Sequence, residues 1–200
     1  FVLSIGIAIA VFKEQPNHFI NLVIFIVETY LLVRLGFHFR DKKSTKYPII
    51  FFASLLLIAA DQVMKMWIVS NFALHTGQEL LPGIVKLFYI QNTGAAWGIL
   101  AGQQFVFYII TAFGVSAILY LMFQERGKSK FALTTYSLLL AGALGNFIDR
   151  VRLGYVVDMF QLEFIDFPIF NIADICLTVG VAALFLYILI VERKKENSEK

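Results

Sequence analysis

Four long apolar runs, at about residues 49–70, 104–123, 131–149 and 170–191, organise the chain and alternate with shorter polar stretches. A hydrocarbon core of about 30 Å takes roughly 20 apolar residues at ~1.5 Å rise each, so every run predicts a membrane-spanning helix. A weaker run over 19–37 is interrupted by Glu28 and Arg34, and the apolar residues 1–12 are too few to cross alone. Paired, these two read as an N-terminal hydrophobic hairpin. The expected organisation is a hairpin over 1–48, a four-span core over 49–191 and a polar tail over 192–200. Between the first two core spans, Leu80-Leu81-Pro82-Gly83 reads as a turn and Val85-Lys86-Leu87-Phe88-Tyr89-Ile90 as a β-prone run. Residues 155–165 have the same aromatic and β-branched character. The fold class expected is an all-α membrane protein, with a four-helix transmembrane core, a small β-rich extracytoplasmic cap and the extra N-terminal hairpin.

Composition agrees: 59% of the residues are hydrophobic and only 16% charged, unlike a soluble domain. The net charge of +3 would suggest a nucleic-acid partner in a soluble chain, but its distribution argues otherwise. Arg40, Lys42, Lys43 and Lys46 precede the first core span. Arg126, Lys128 and Lys130 lie between the second and third, and Arg193, Lys194, Lys195 and Lys200 follow the fourth. The loops 71–103 and 151–169 are poor in Lys and Arg. By the positive-inside rule the basic segments and the core termini are cytoplasmic and the other two loops face outward. No nucleic-acid partner is expected. The single cysteine, Cys176, excludes an internal disulfide and a cysteine metal cluster. With His18, His38 and His75 scattered, neither a metal nor a cofactor is expected. The chain begins with Phe1 rather than Met, as expected of a sequence whose start is missing or processed.

The polar residues at the span ends carry the chemistry. Asp158 lies in the second outer loop, and Asp174 stands four residues into the last apolar run. An ionisable group at the mouth of a span is a functional candidate by default. Two aspartates that a short loop can fold together are the equipment of an acid–base hydrolase. Asn171 and Asp174, at i and i+3, share a helix face. Gly142, Asn146 and Asp149 form one stripe of the third span, with Gly145 and Arg150 beside it. The glycines read as close helix packing, and Arg150 either as a partner of a carboxylate or as a side chain reaching lipid phosphate. Asp61 and Lys65, at i and i+4, read as an ion pair within the bundle that supports the site. In Asn92-Thr93-Gly94-Ala95-Ala96-Trp97-Gly98, Gly94 and the alanines permit close backbone approach, Asn92 offers an amide and Trp97 suits the interface. Cys176 reads as an apolar packing residue, and neither a Gly-x-Ser-x-Gly nor a His-Glu-x-x-His motif is present.

Five blocks, Asp61-Gln62-x-x-Lys65, Asn92-x-Gly94-Ala95-Ala96, Gly142-Ala143-Leu144-Gly145-Asn146-x-x-Asp149-Arg150, Val157-Asp158-Met159-Phe160 and Phe170-Asn171-x-Ala173-Asp174, resemble in order and spacing the motifs of the lipoprotein signal peptidases, the signal peptidase II family. The likeness covers roughly residues 49–191. It departs at Ala141, where a glycine is usual, and at Trp97, where phenylalanine is common. The resemblance implies an intramembrane aspartyl endopeptidase of the bacterial cytoplasmic membrane, with its site near the outer leaflet. It would remove signal peptides from prolipoproteins by cutting before a diacylglyceryl-modified cysteine. It further implies Asp158 and Asp174 as the catalytic pair. Asn92, Gly94, Asn146, Arg150 and Asn171 shape the site, Asp61 and Lys65 support it, and membrane lipids and globomycin-type inhibitors are further partners.

Two other readings compete. A small transporter would spread polar groups through the full membrane depth, whereas here they gather near the outer span ends. A scaffold subunit whose polar residues only join helices would tolerate Asp158→Asn.

Overall fold

The computed structural model describes residues 47–125 and 129–198. The hairpin expected over 1–48 lies outside the described residues except for its last two positions, which already belong to the first helix. The order is α1 (Tyr47–Asn71), β1 (Gly77–Leu81), β2 (Val85–Asn92), a short 3-10 turn (Ala96–Gly98), α2 (Gln104–Gln124), α3 (Lys130–Leu153), β3 (Val156–Leu162) and α4 (Ile172–Ser198). All four helices hold windows long and apolar enough to cross a membrane, in Phe52–Asn71, Gln104–Met122, Lys130–Leu153 and Ile172–Arg193. The protein is a multi-pass membrane protein.

Helix α3 is the central one. Two-thirds of its spanning window (67%) is buried, against 22% for α1 and 11% for each of α2 and α4, and all three pack against it. The outer three turn Phe52, Val63, Phe113 and Phe185 outward, as expected where the surroundings are hydrocarbon. The Ser129 hydroxyl caps α3 by accepting from the Ala132 N–H at 3.1 Å. Gly154 ends it in the left-handed conformation at φ 81°, which other residues adopt at a cost, and so turns the chain directly into β3. At the start of α4, α3 and α4 touch closely at Gly145, where an added Cβ would lie 2.9 Å from the Ala173 Cβ and 2.9 Å from Asp61 Oδ2. The small residues therefore admit both a second helix and a carboxylate.

The strands form one antiparallel sheet in the order β1-β2-β3. Leu87, Tyr89, Val157 and Met159 pack with Ile68 of α1 into a buried cluster, which seats the sheet on the helical core. Strand β1 was not expected. It is an edge strand exposed at every position and so lacks the half-buried alternation that marks β2. Helix α4 also runs past Val191 into the segment read as a polar tail, because Glu192-Arg193-Lys194-Lys195-Glu196 are good helix formers that carry the helix beyond the apolar run.

Candidate active site

Asp174 owes its position to the start of α4. Asn171 is the N-cap, and the two residues satisfy each other as a capping box. The Asp174 N–H donates to Asn171 Oδ1 at 2.9 Å, and the Asn171 N–H donates to Asp174 Oδ2 at 3.1 Å. Asp158 comes from the middle of β3, opposite Ile90 of β2. Asn92, two residues further along β2, is the diagonal neighbour that reaches it. The loop after β3 returns through a bridge between Phe160 and Phe170, with N–H···O contacts of 2.8 and 3.1 Å. That return brings the start of α4 alongside β3.

Three amides then join the two carboxyls. Asn92 donates to Asp158 Oδ2 at 2.9 Å, and Asn171 Nδ2 donates to Asp158 Oδ1 at 2.6 Å. Asn146 of α3 donates to Asp174 Oδ1 at 2.7 Å. Each amide has its orientation fixed by a group that can only donate to its oxygen. The Gly94 N–H does this for Asn92 at 2.9 Å, the Asp174 N–H for Asn171, and the Lys65 ammonium for Asn146 at 3.1 Å. Asn171 Nδ2 also donates to Asn146 Oδ1 at 3.0 Å, closing the network. Both oxygens of each aspartate thus accept at least one hydrogen bond.

Beneath the network, Lys65 lies 2.8 Å from Asp61 Oδ2 and 3.0 Å from Asp149 Oδ2, with all three side chains buried. Among the described residues Arg150 makes no ion pair with a carboxylate. Its Nη2 donates to the Gly94 carbonyl at 2.9 Å, and its guanidinium stacks 4.3 Å from the centre of the Phe107 ring. The Gly94 carbonyl of the β2–α2 loop and the Phe107 ring of α2 together hold it, geometry that suits a planar fork better than a point charge. Cys176 is buried, as a packing residue should be.

Burial is the main cause that raises Asp158, to about 7 from an ordinary 3.8, with the charge of Asp174 adding to it. The Asn92 and Asn171 hydrogen bonds and the charge of Lys65 oppose the rise. A carboxyl that holds its proton near neutral pH beside a second carboxyl is equipped to donate while its neighbour accepts. Among the described residues, no group of three or more His, Cys, Asp or Glu side chains is placed to hold a metal.

The structure brings together the residues given a site role from the sequence: Asp61, Lys65, Asn92, Gly94, Asn146, Arg150, Asp158, Asn171 and Asp174. It adds three that had no assigned role. Asp149 stood in a stripe and in the third motif block without a role of its own. Gln62 donates to Asp149 Oδ1 at 2.9 Å and to the Gly145 carbonyl at 3.1 Å. Its sequence signal was its place beside Asp61 in the first motif block, with no role attached. Phe107, within an unbroken apolar run, gave none.

The sequence profile of the family described as Signal peptidase (SPase) II matches residues 53–190. A lipoprotein signal peptidase of Latilactobacillus sakei is 54% identical over 139 residues, 70% of this chain and 92% of that protein. The lipoprotein signal peptidase of Enterococcus faecalis is 46% identical over 149 residues, 74% of this chain and 92% of that protein. A solved structure described as a bacterial membrane enzyme superposes with a TM-score of 0.70 at 37% identity, over 76% of this chain and 92% of that one.

Proposed function

Because the chain belongs to the signal peptidase II family and is an aspartic endopeptidase, we propose that Asp158 and Asp174 are its catalytic dyad. The substrates we assign are prolipoproteins whose signal peptide is cut off just before a diacylglyceryl-modified cysteine. The observation that carries the dyad is the amide network: among the described residues, Asn92, Asn146 and Asn171 all present N–H groups to these two carboxyls and to no other carboxyl.

Two adjacent carboxyls resist double ionisation and hold one proton between them. The ionised member takes a proton from water, which attacks the scissile carbonyl carbon. The protonated member meanwhile donates to the carbonyl oxygen as negative charge develops there. Collapse of the tetrahedral intermediate breaks the C–N bond: the carboxyl that gained a proton passes it to the leaving amine, and the other recovers its proton from the intermediate's hydroxyl. Asn92, Asn146 and Asn171 hold both carboxyls in place throughout, with their orientations set before substrate arrives.

The setting supplies specificity. The dyad lies where β3 and the start of α4 meet, at one end of the helical core, and the positive-inside pattern places that end at the outer leaflet of the bacterial cytoplasmic membrane. Core termini are then cytoplasmic and the sheet is an extracytoplasmic cap. A lipidated cysteine keeps its acyl chains among membrane lipids while its peptide bond reaches the dyad, and globomycin-type cyclic peptides occupy the same place. Residues 1–48 are an accessory hydrophobic hairpin in this reading, and 192–200 a cytoplasmic tail.

The test is cleavage of a diacylglyceryl-modified prolipoprotein by purified wild type, Asp158→Asn and Asp174→Asn, with folding followed by thermal melting. Loss of a general acid or base predicts a fall of about 10²–10⁴-fold or more in both folded variants. Cleavage at near the wild-type rate by either would overturn the dyad.

A further inference from the structure

We propose that Lys65, Asp61 and Asp149 form a brace that sets the spacing between the two reacting carboxyls, which makes all three positioning residues. The proposal rests on the assignment of Asp158 and Asp174 as the dyad.

The argument begins with what the two carboxylates hold besides Lys65. Asp61 Oδ1 accepts the backbone N–H of Ala173 at 2.9 Å. Asp149 Oδ2 accepts the backbone N–H of Val157 at 3.0 Å. Ala173 immediately precedes Asp174, and Val157 immediately precedes Asp158. Each carboxylate therefore grips the chain one residue before a dyad aspartate, and the Lys65 ammonium ties the two grips together. The ammonium has three N–H groups, and all are placed, on Asp61, Asp149 and Asn146. The third bond orients the amide that donates to Asp174.

A structural ion pair that only joined α1 to α3 would not need these attachments. Asp149 belongs to α3, yet it holds β3; Asp61 belongs to α1, yet it holds α4. The brace spans four elements and ends on the two short backbone segments whose separation decides how far apart the reacting groups lie. It is also rigid, since Lys65, Asp61 and Asp149 are all nearly inaccessible, and removing the cation leaves two buried carboxylates facing each other.

The consequence is electrostatic as well as geometric. Coupling between two carboxyls falls as they separate, so the spacing fixes how far apart the pair's two titration steps lie. Among the described residues, the charged groups placed against the dyad are Asp61 and Lys65 of α1 and Asp149 and Arg150 of α3. Of these, the brace alone is bonded to the backbone on both sides of the pair.

The experiment measures kcat and KM across pH for the full chain in lipid-containing detergent, with a diacylglyceryl-modified prolipoprotein peptide as substrate. The variants are Lys65→Met, Asp61→Asn and Asp149→Asn, the two single Asn changes combined, and Asp158→Asn and Asp174→Asn. A displacement of about 1 Å costs on the order of 10²-fold in rate, so Lys65→Met should lower kcat by roughly 10–100-fold with KM within about twofold. Its acid and alkaline limbs should also lie closer together, as the carboxyls separate. Asp61→Asn and Asp149→Asn preserve size and an oxygen for the backbone N–H but turn an amide donor toward the ammonium. They should narrow the profile too, and combined they should cost less than the product of the single effects, because they break one device. A loss of kcat with the separation of the limbs unchanged marks a merely structural role and overturns the brace, as does wild-type kcat. Should Lys65→Met not fold, the two Asn variants decide by the same criterion. Retained cleavage by Asp158→Asn or Asp174→Asn refutes the dyad itself. Loss of cleavage there with an unaltered profile in the other variants refutes the brace alone.

Discussion

Replacing Asp158 with Asn should remove activity and also change how stability depends on pH. Asp158 is 1% exposed, and its carboxyl is raised from 3.8 to about 7, first by burial and then by the charge of Asp174. Between those values the folded protein keeps a proton that the unfolded chain has released. The contribution is therefore fully present below about pH 3.8 and is lost as pH rises through about 7. The rise is roughly three units, and at about 1.36 kcal/mol per unit the loss is on the order of 4 kcal/mol. Asparagine cannot ionise and escapes it. The variant bears a separate cost that does not change with pH, because its NH₂ must meet the NH₂ of either Asn92 or Asn171, which both donate to the aspartate. One unsatisfied buried donor costs about 1–3 kcal/mol. Melting curves of wild type and Asp158→Asn in one detergent, from pH 4 to 8, separate the two terms. The variant should melt lower at pH 4 and gain on wild type steadily toward pH 8, closing or reversing the gap by roughly 10 °C for a protein of this size. A gap independent of pH, or one that widens with pH, would refute the account of Asp158 as a carboxyl kept neutral by its surroundings.

Asn171→Ala removes a helix cap and two side-chain donors at once, so it should cost about 1–2 kcal/mol in thermal stability and most of the cleavage activity, whereas Asn171→Asp should keep the cap and still lose activity through a third charge. Equal activity in Asn171→Asp and wild type would contradict the amide network. Gly145→Ala places a methyl against Ala173 and the Asp61 carboxylate, neither free to retreat. It should destabilise by about 1–3 kcal/mol in denaturant unfolding and lower cleavage, and a neutral result would mean that α3 and α4 part easily. Arg150→Lys exchanges a stacked fork for a point charge, so backbone amides over 93–103 should exchange hydrogen faster by about tenfold, read by mass spectrometry. Unchanged protection would show that the loop does not depend on Arg150.

The boundary between what the sequence discloses and what it withholds follows the kind of bond involved. A span announces itself because a helix crossing lipid is predominantly apolar over about 20 residues, and an aspartate at its end is conspicuous for the same reason. Hence α1 to α4 and the pair Asp158 and Asp174 were all legible. The amides were legible too, since Asn146 and Asn171 interrupt apolar runs at helical spacing. Strand β1 was hidden because an edge strand with no buried face has no periodicity to read. The position of Arg150 was hidden for another reason: both partners, a backbone carbonyl and a phenylalanine in an apolar run, look ordinary in a sequence. The role of Asp149 belongs to the same class. Its side chain is visible, but the group it holds is the N–H of Val157, which any residue except proline would supply. Attachments of side chain to backbone leave a mark at one end only, and in this protein they decide where the reacting groups stand. A substitution at Asp61, Lys65 or Asp149 therefore acts on the dyad through Ala173 and Val157, two residues whose own side chains take no part in the chemistry.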